Sequence, residues 1–346
     1  MKRLVRYLNV VRIGLLLTCI LGQNPLKAQW AVSDKEDVEI VRSLPLAVVI
    51  MEPDQKVVDK LSKKKPDEAE GYKASIKDFN SYLKEVIESD WRYSKDVKFV
   101  TQAEAEEIGS KKDSRYAVLR MESMPNYKMG DFYPIDRSMA NHNPSAANMA
   151  MNPSARSYHF RAAEKFYILS LGSTIRGRGM IARANMPTLG MTYTSVKFMV
   201  QFIMHQLDDC VNKGISKYGE MKDGIESRHS LLQGKTLFMA SDLIGKPLQK
   251  DIDSGTFSKL YSSTTEVGDL ERLDDIVKDG NQQYCYLLAI PSGAQTAGAV
   301  LNQYVVVDAK DGRLIFLNEK TDARAPGQFT EYHLKAIDKA RSKTVQ

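Results

Sequence analysis

The chain reads as an α/β fold of two tandem modules, each in the order β-α-β-α-β-β-β-α, with helices packed on mixed parallel and antiparallel sheets. Three observations predict this. Near the carboxyl end, Gln283–Asn318 holds Tyr284-Cys-Tyr-Leu-Leu-Ala-Ile290, a polar Gly/Ser/Ala loop, then Tyr304-Val-Val-Val-Asp308, an Asp-Gly turn and Arg313-Leu-Ile-Phe-Leu-Asn318. These are three strand-length runs with a tight hairpin between the last two. A similar series follows Arg115, and its spacing agrees: second strand to third runs 97 to 116 and 263 to 284, 19 against 21 residues. Third to fourth runs 49 against 19 residues, and the excess falls in one Met/Asn-rich insertion at 122–161.

The amino terminus reads as a signal peptide rather than part of the fold. Lys2, Arg3, Arg6 and Arg12 precede the apolar run Ile13–Gly22, and Ala28 offers the cleavage position. That run is too short for a membrane span, which takes about 20 residues. Cys19 offers a lipid-anchor alternative, but Thr18 stands where lipoprotein cleavage favours a small residue. Export to the periplasm or medium is therefore expected, with no transmembrane segment after removal of the signal. Residues 1–28 carry five basic side chains and no acid, so their loss takes the net charge from +6 to +1. A nucleic-acid partner loses its compositional support, because phosphate binding rests on surplus Lys and Arg. Cleavage of 28 of 346 residues leaves 318, enough for two modules. Only Cys210 and Cys285 survive it, too few to build a disulfide scaffold. Each lies on an apolar element, so buried thiols are expected rather than a bridge.

The first module is placed at 44–211. Gln29–Ser43 reads as a polar lead-in, Leu44–Met51 as a strand buried on both faces, and the charged Gln55–Gly71 as a solvated excursion. Lys73–Trp91 is a helix, with Ile76, Phe79, Leu83, Val86 and Ile87 on one stripe. Val97–Thr101 is a strand, and Thr101 with Glu104 makes a capping box for a helix to Ile108, closed by Gly109. Tyr116–Met121 and Lys165–Leu171 are strands, with Met180–Ala184 the hairpin partner of the second. Ser195–Val211 is a helix that points Val196, Met199, Val200, Ile203, Met204, Leu207 and Cys210 inward. Glu122–Arg161 keeps no period and reads as a long mobile insertion.

Glycines and charges over 212–234 suit a linker. The second module, 235–346, restarts with a strand at Lys235–Ala240 and a shortened connection to Tyr261. Ser263–Val267 follows as a strand and Leu270–Val277 as a helix closed by Gly280; after the three carboxyl-end strands, Thr330–Arg341 is the closing helix. Strands joined by helices should pair in parallel, and the terminal hairpins antiparallel.

This order, with Tyr116-Ala-Val-Leu-Arg120 and Lys165-Phe-Tyr-Ile-Leu169 in one module and Tyr284-Cys-Tyr-Leu-Leu-Ala289 and Val305-Val-Val-Asp-Ala-Lys-Asp-Gly-Arg-Leu-Ile315 in the other, resembles a group of bacterial envelope modules. The group includes the amino-terminal domain of TolB and the periplasmic domain of the curli-export lipoprotein. The resemblance implies a non-catalytic envelope scaffold or docking module. Another envelope protein is the expected partner, and no cofactor is expected.

No zinc-peptidase or serine-hydrolase motif is present. Gly234-Lys235-Thr236 ends like a phosphate loop, but lacks the earlier glycine and opens a strand instead of a helix. Glu104, Glu106, Glu107, Asp274 and Asp275 lie early in short helices, where acids complement the helix dipole. Asp308, Asp311 and Gly312 suit a hairpin turn, and His205 points away from Cys210. Arg176, Arg178 and Arg183 beside glycines suit a solvated hairpin. The sharper alternative is a Cu(I)-holding insertion, since thioethers select Cu(I): its candidate ligands are Met121, Met124, Met129, His142, Met149 and Met151. An uncharacterised hydrolase is the enzyme alternative.

Overall fold

The computed structural model describes residues 34–111, 115–125, 127–128, 165–175, 180–254, 261–296, 299–320 and 328–343. The segment expected to be a signal peptide and most of the expected insertion lie outside them.

The first module runs α1 (Lys35–Ser43), β1 (Leu46–Val49), α2 (Gln55–Lys64), α3 (Pro66–Asp90), β2 (Val97–Val100), α4 (Gln102–Ser110) and β3 (Ala117–Pro125). A two-residue strand β4 (Tyr127–Lys128), then β5 (Lys165–Ser173), β6 (Met180–Asn185) and α5 (Tyr193–Lys213) complete it. The next stretch holds α6 (Tyr218–Glu226) and a 3-10 turn at His229–Leu232. The second module runs β7 (Thr236–Ala240), α7 (Lys246–Asp253), β8 (Thr265–Gly268), α8 (Leu270–Lys278), β9 (Tyr284–Thr296), β10 (Ala299–Asp308), β11 (Leu314–Asn318) and α9 (Glu331–Ser342).

The two sheets have one topology. The first is ordered β2-β1-β3-β5-β6 and the second β8-β7-β9-β10-β11, with β4 crossing to pair with β9. In each, the first three strands are parallel and the last two antiparallel. Val97 to Ala117 and Thr265 to Cys285 have the same length, and Leu46 and Leu237 pair with the equivalent ends of both segments. Each final hairpin shifts register at the same point, after Leu171 and after Val306. Two modules alike in order, direction, length and bulge position carry the same fold.

Several elements differ from expectation. The lead-in contains α1, capped by Asp34 and burying Val38 and Val41. The excursion at 55–71 holds α2 and the start of α3, with Pro66 in the first turn of α3, where its missing N–H costs nothing. Gly109 sits inside α4, which ends at Ser110 with Lys111 as its cap. β3 runs on into the expected insertion. The polar loop after Ile290 is strand on both sides, since β9 reaches Thr296 and β10 begins at Ala299. The expected linker folds onto the second sheet: Arg228 Nε donates to Leu314 O at 2.9 Å, and Lys222 pairs with Glu319 at 2.9 Å.

The core explains the layering. Leu46, Val48, Leu119, Leu169 and Leu171 meet α3 and α5 on one face of the first sheet, while Ala47 and Val49 meet α4 on the other. In the second sheet Leu237, Met239, Leu287 and Val306 pack with α9, and Phe238, Tyr286, Leu288, Val305 and Val307 face α8 and α5. Thus α5 closes its own module and also covers the next one. Fourteen of its 21 residues are buried. Burying one side chain such as Phe198 is worth about 1.5–3 kcal/mol.

The contacts of α5 with the second module are specific. Asp274 Oδ1 on α8 accepts from Thr194 N at 2.9 Å and Thr194 Oγ1 at 2.5 Å, at the helix start. Lys197 Nζ donates to Val277 O at 2.8 Å. His205 Nε2 meets Asp311 O at 2.8 Å. Gly312, with φ +72, lies against Gln201, where an added Cβ would collide with the amide. Cys210 and Cys285 are not bridged to each other and are buried in separate cores. Burial pushes the Cys285 thiol up to about 12, so it is inert at neutral pH.

Candidate functional site

Ligands of open α/β sheets settle outside the carboxyl ends of parallel strands, where successive connections leave for opposite faces. Here that point is the gap between β1 and β3. The chain leaves β1 for α3 on one face, and leaves β2 for α4 on the other. A crevice of about 480 Å³ opens there, between the loop Ile50–Asp54 and β3, and is lined by Met51, Glu52, Asp54, Tyr72, Met121 and Tyr167 among others.

Local chemistry holds it apart. Asn80 on α3 donates from Nδ2 to Met51 O and accepts from Met51 N, each at 2.9 Å. That amide closes the end of β1 and turns the chain away from β3. Pairing of β1 with β3 therefore stops at Val48↔Leu119, while β3 continues against β5 to Pro125. Asp54 caps α2 by accepting from Lys56 N at 3.0 Å, and its own N–H donates to Tyr72 Oη at 3.2 Å. Burial pushes the Tyr167 hydroxyl up, with Tyr72 and Asp54 adding to it. Among the described residues, the only charged side chains lining the crevice are Glu52 and Asp54, both acids and both exposed.

Gln102, at the start of α4, also borders a second depression of about 510 Å³ on the α4 face of the first sheet. Arg120 Nε and Ser170 Oγ both donate to Glu122 Oε1, at 2.7 and 3.0 Å. Arg183 lies in the same row; burial lowers its pKa, and its Nε is buried without a hydrogen-bond partner among the described residues.

Of the copper candidates singled out from sequence, Met121 lines the crevice. Met124 lies on β3, and Met129, His142, Met149 and Met151 fall outside the described residues, as do Arg176 and Arg178. Among the described residues no three His, Cys, Asp or Glu side chains gather as a metal site. Glu104 completes the capping box with Thr101, and Glu106 accepts from Gln102 Nε2 at 2.9 Å. Lys235 pairs with Asp308 at 2.9 Å, both nearly buried, which ties β7 to the end of β10. His205 also faces Asp208, whose carboxyl burial would raise. Contacts from His205, Tyr93 and Arg92 outweigh that and hold it down at about 2.

Neither depression is lined by a His, Cys or Lys side chain among the described residues. What the crevice offers is a strand edge, two aromatic hydroxyls and two carboxylates. Sequence reading missed Asn80, Tyr72 and Asp54. Asn80 sits amid a helical pattern, and nothing local marks its reach to β1.

No family model, curated protein or solved structure matches this chain. No helix among the described residues is long and apolar enough to cross a membrane.

Proposed function

We propose that this is an exported, non-catalytic binding or scaffold protein of the cell envelope, cleaved after Ala28, that docks another envelope protein. The observation that carries the reading is the crevice between β1 and β3, whose counterpart in the second module is filled by the chain itself. There Thr188 N donates to Ala289 O and Asn185 Nδ2 to Pro291 O, each at 2.9 Å. The resemblance to envelope docking modules supports the same reading.

A hydrolase is the second reading, favoured by Glu52, Asp54, Tyr72 and Tyr167 converging on one crevice. Against it, both carboxylates are exposed, and neither sits in the apolar pocket that would hold it protonated as an acid.

A photo-crosslinking amino acid at Tyr72, in cells producing the full chain, tests the proposal. A discrete adduct with one envelope protein, absent when the probe replaces the exposed Tyr332 on α9, is the expected result. Retention of the chain in the cytoplasm, or adducts equal at both positions, overturns it. Turnover of ester, phosphate or peptide substrates that is lost with Asp54→Asn establishes the hydrolase instead.

A further inference from the structure

The two modules differ at one strand edge. In the second, pairing of β9 with β7 ends at Phe238↔Tyr286, yet β9 runs on to Thr296. That overhang is covered by Thr188 and Asn185, and then by β4, which pairs with Ala294 and Gln295 in parallel. The register makes Met121 and Ser123 the counterparts of Ala289 and Pro291. On β3 the corresponding overhang has β5 on one side and no strand on the other among the described residues.

The alternation of the backbone fixes what this edge offers. Ala117 N donates to Pro45 O, so the amides of Leu119, Met121 and Ser123 point to the same, β1-facing side. Extending the register would place Met51 N–H on Met121 C=O, but Asn80 takes that donor. Pro125 ends the edge because it has no N–H. Facing the edge across the crevice are Glu52 and Asp54, with no cation lining the wall among the described residues.

We propose that the β1-facing edge of β3, from Met121 to Ser123, takes up an extended segment of a partner protein as an added strand. The segment runs parallel to β3 in line with β1, and sets a Lys or Arg side chain against Glu52 and Asp54. Backbone bonding supplies attraction without sequence demand, and the acidic wall supplies selectivity. This rests on the docking reading above and names the chemistry of its partner.

The test pans displayed random ten-residue peptides on the full chain, then measures synthetic copies of the enriched ones by fluorescence polarisation. Expected are peptides of alternating β-branched residues with a central Lys or Arg, whose amide exchange slows at Met121 and Ser123 on binding. Ser123→Pro, which removes one edge donor and leaves the β5 ladder intact, should weaken binding by about tenfold or more. Glu52→Lys, an exposed change that needs no refolding of the sheet, should do likewise. Enrichment of acidic peptides, no enrichment at all, or equal binding by both variants overturns the proposal. A dimer of the chain that Ser123→Pro dissociates also overturns it, by making a second copy the occupant. If crosslinks from Tyr72 persist in Ser123→Pro cells, the edge is wrong and the docking reading survives; if they were never formed, both fail.

Discussion

The α4 face of the first sheet and the α8 face of the second are the same surface of the same fold, made opposite in character. Val118, Arg120, Glu122, Ser170 and Gly172 in one hold the positions of Tyr286, Leu288, Ile290, Val305 and Val307 in the other. The second set is at most 2% exposed, because α5 lies across it. In the first set Arg120 is exposed and paired with Glu122. The closing helices differ in the same sense: α9 buries His333, Leu334, Ile337 and Ala340 on one stripe, whereas α5 is covered on both sides. A sheet face goes apolar where another element covers it and polar where water does. The repeat thus gives one covered interface and one exposed counterpart.

Substitutions can break this contrast. Leu288→Arg places in the second sheet the residue that its counterpart already carries in the first. An unpaired charge under α5 should cost more than about 4 kcal/mol and leave the chain unfolded or aggregated in a denaturation series. Next is Phe198→Ala. Phe198 and Phe202 stack at 5.4 Å and follow Thr194 at four-residue steps, toward the second module. The cavity should cost about 3–5 kcal/mol, and urea melts followed in both modules should shift together. If only one module shifts, α5 does not couple them.

Two changes of about 1–2 kcal/mol sharpen the picture. Asp274→Ala removes the acceptor at the start of α5 and should speed amide exchange in its first turn. Asp208→Asn addresses pH. The pKa of Asp208 in the fold, about 2, lies below the ordinary carboxylate value, so its contribution is full above about pH 4 and lost as pH falls toward 2. Its side chain is partly exposed, which keeps the effect to about 1–2 kcal/mol. The variant should therefore be less stable at pH 7 and equal to the parent near pH 2. Smallest is Arg120→Leu, which breaks only an exposed ion pair and should move the melting midpoint by less than about 0.5 kcal/mol equivalent. A large loss there would mean that this face, too, is covered.

Much of this architecture is written in local pattern. The strands of both modules, the Thr101 capping box, the Gly280 helix stop and the inward stripe of α5 follow from residue spacing, since backbone geometry repeats every 3.6 or every 2 residues. Short charged helices were illegible for the same reason: α1 and α2 bury only Asp37, Val38, Val41 and Val58, too few to set a period. The sequence by itself determined that two similar modules follow one another. Only the tertiary structure decided that α5 serves both, that Asn80 parts β1 from β3, and that one strand edge is capped while its twin has no strand on it among the described residues. Those are contacts between residues far apart in the chain, and local spacing records that a face is apolar without recording what comes to cover it.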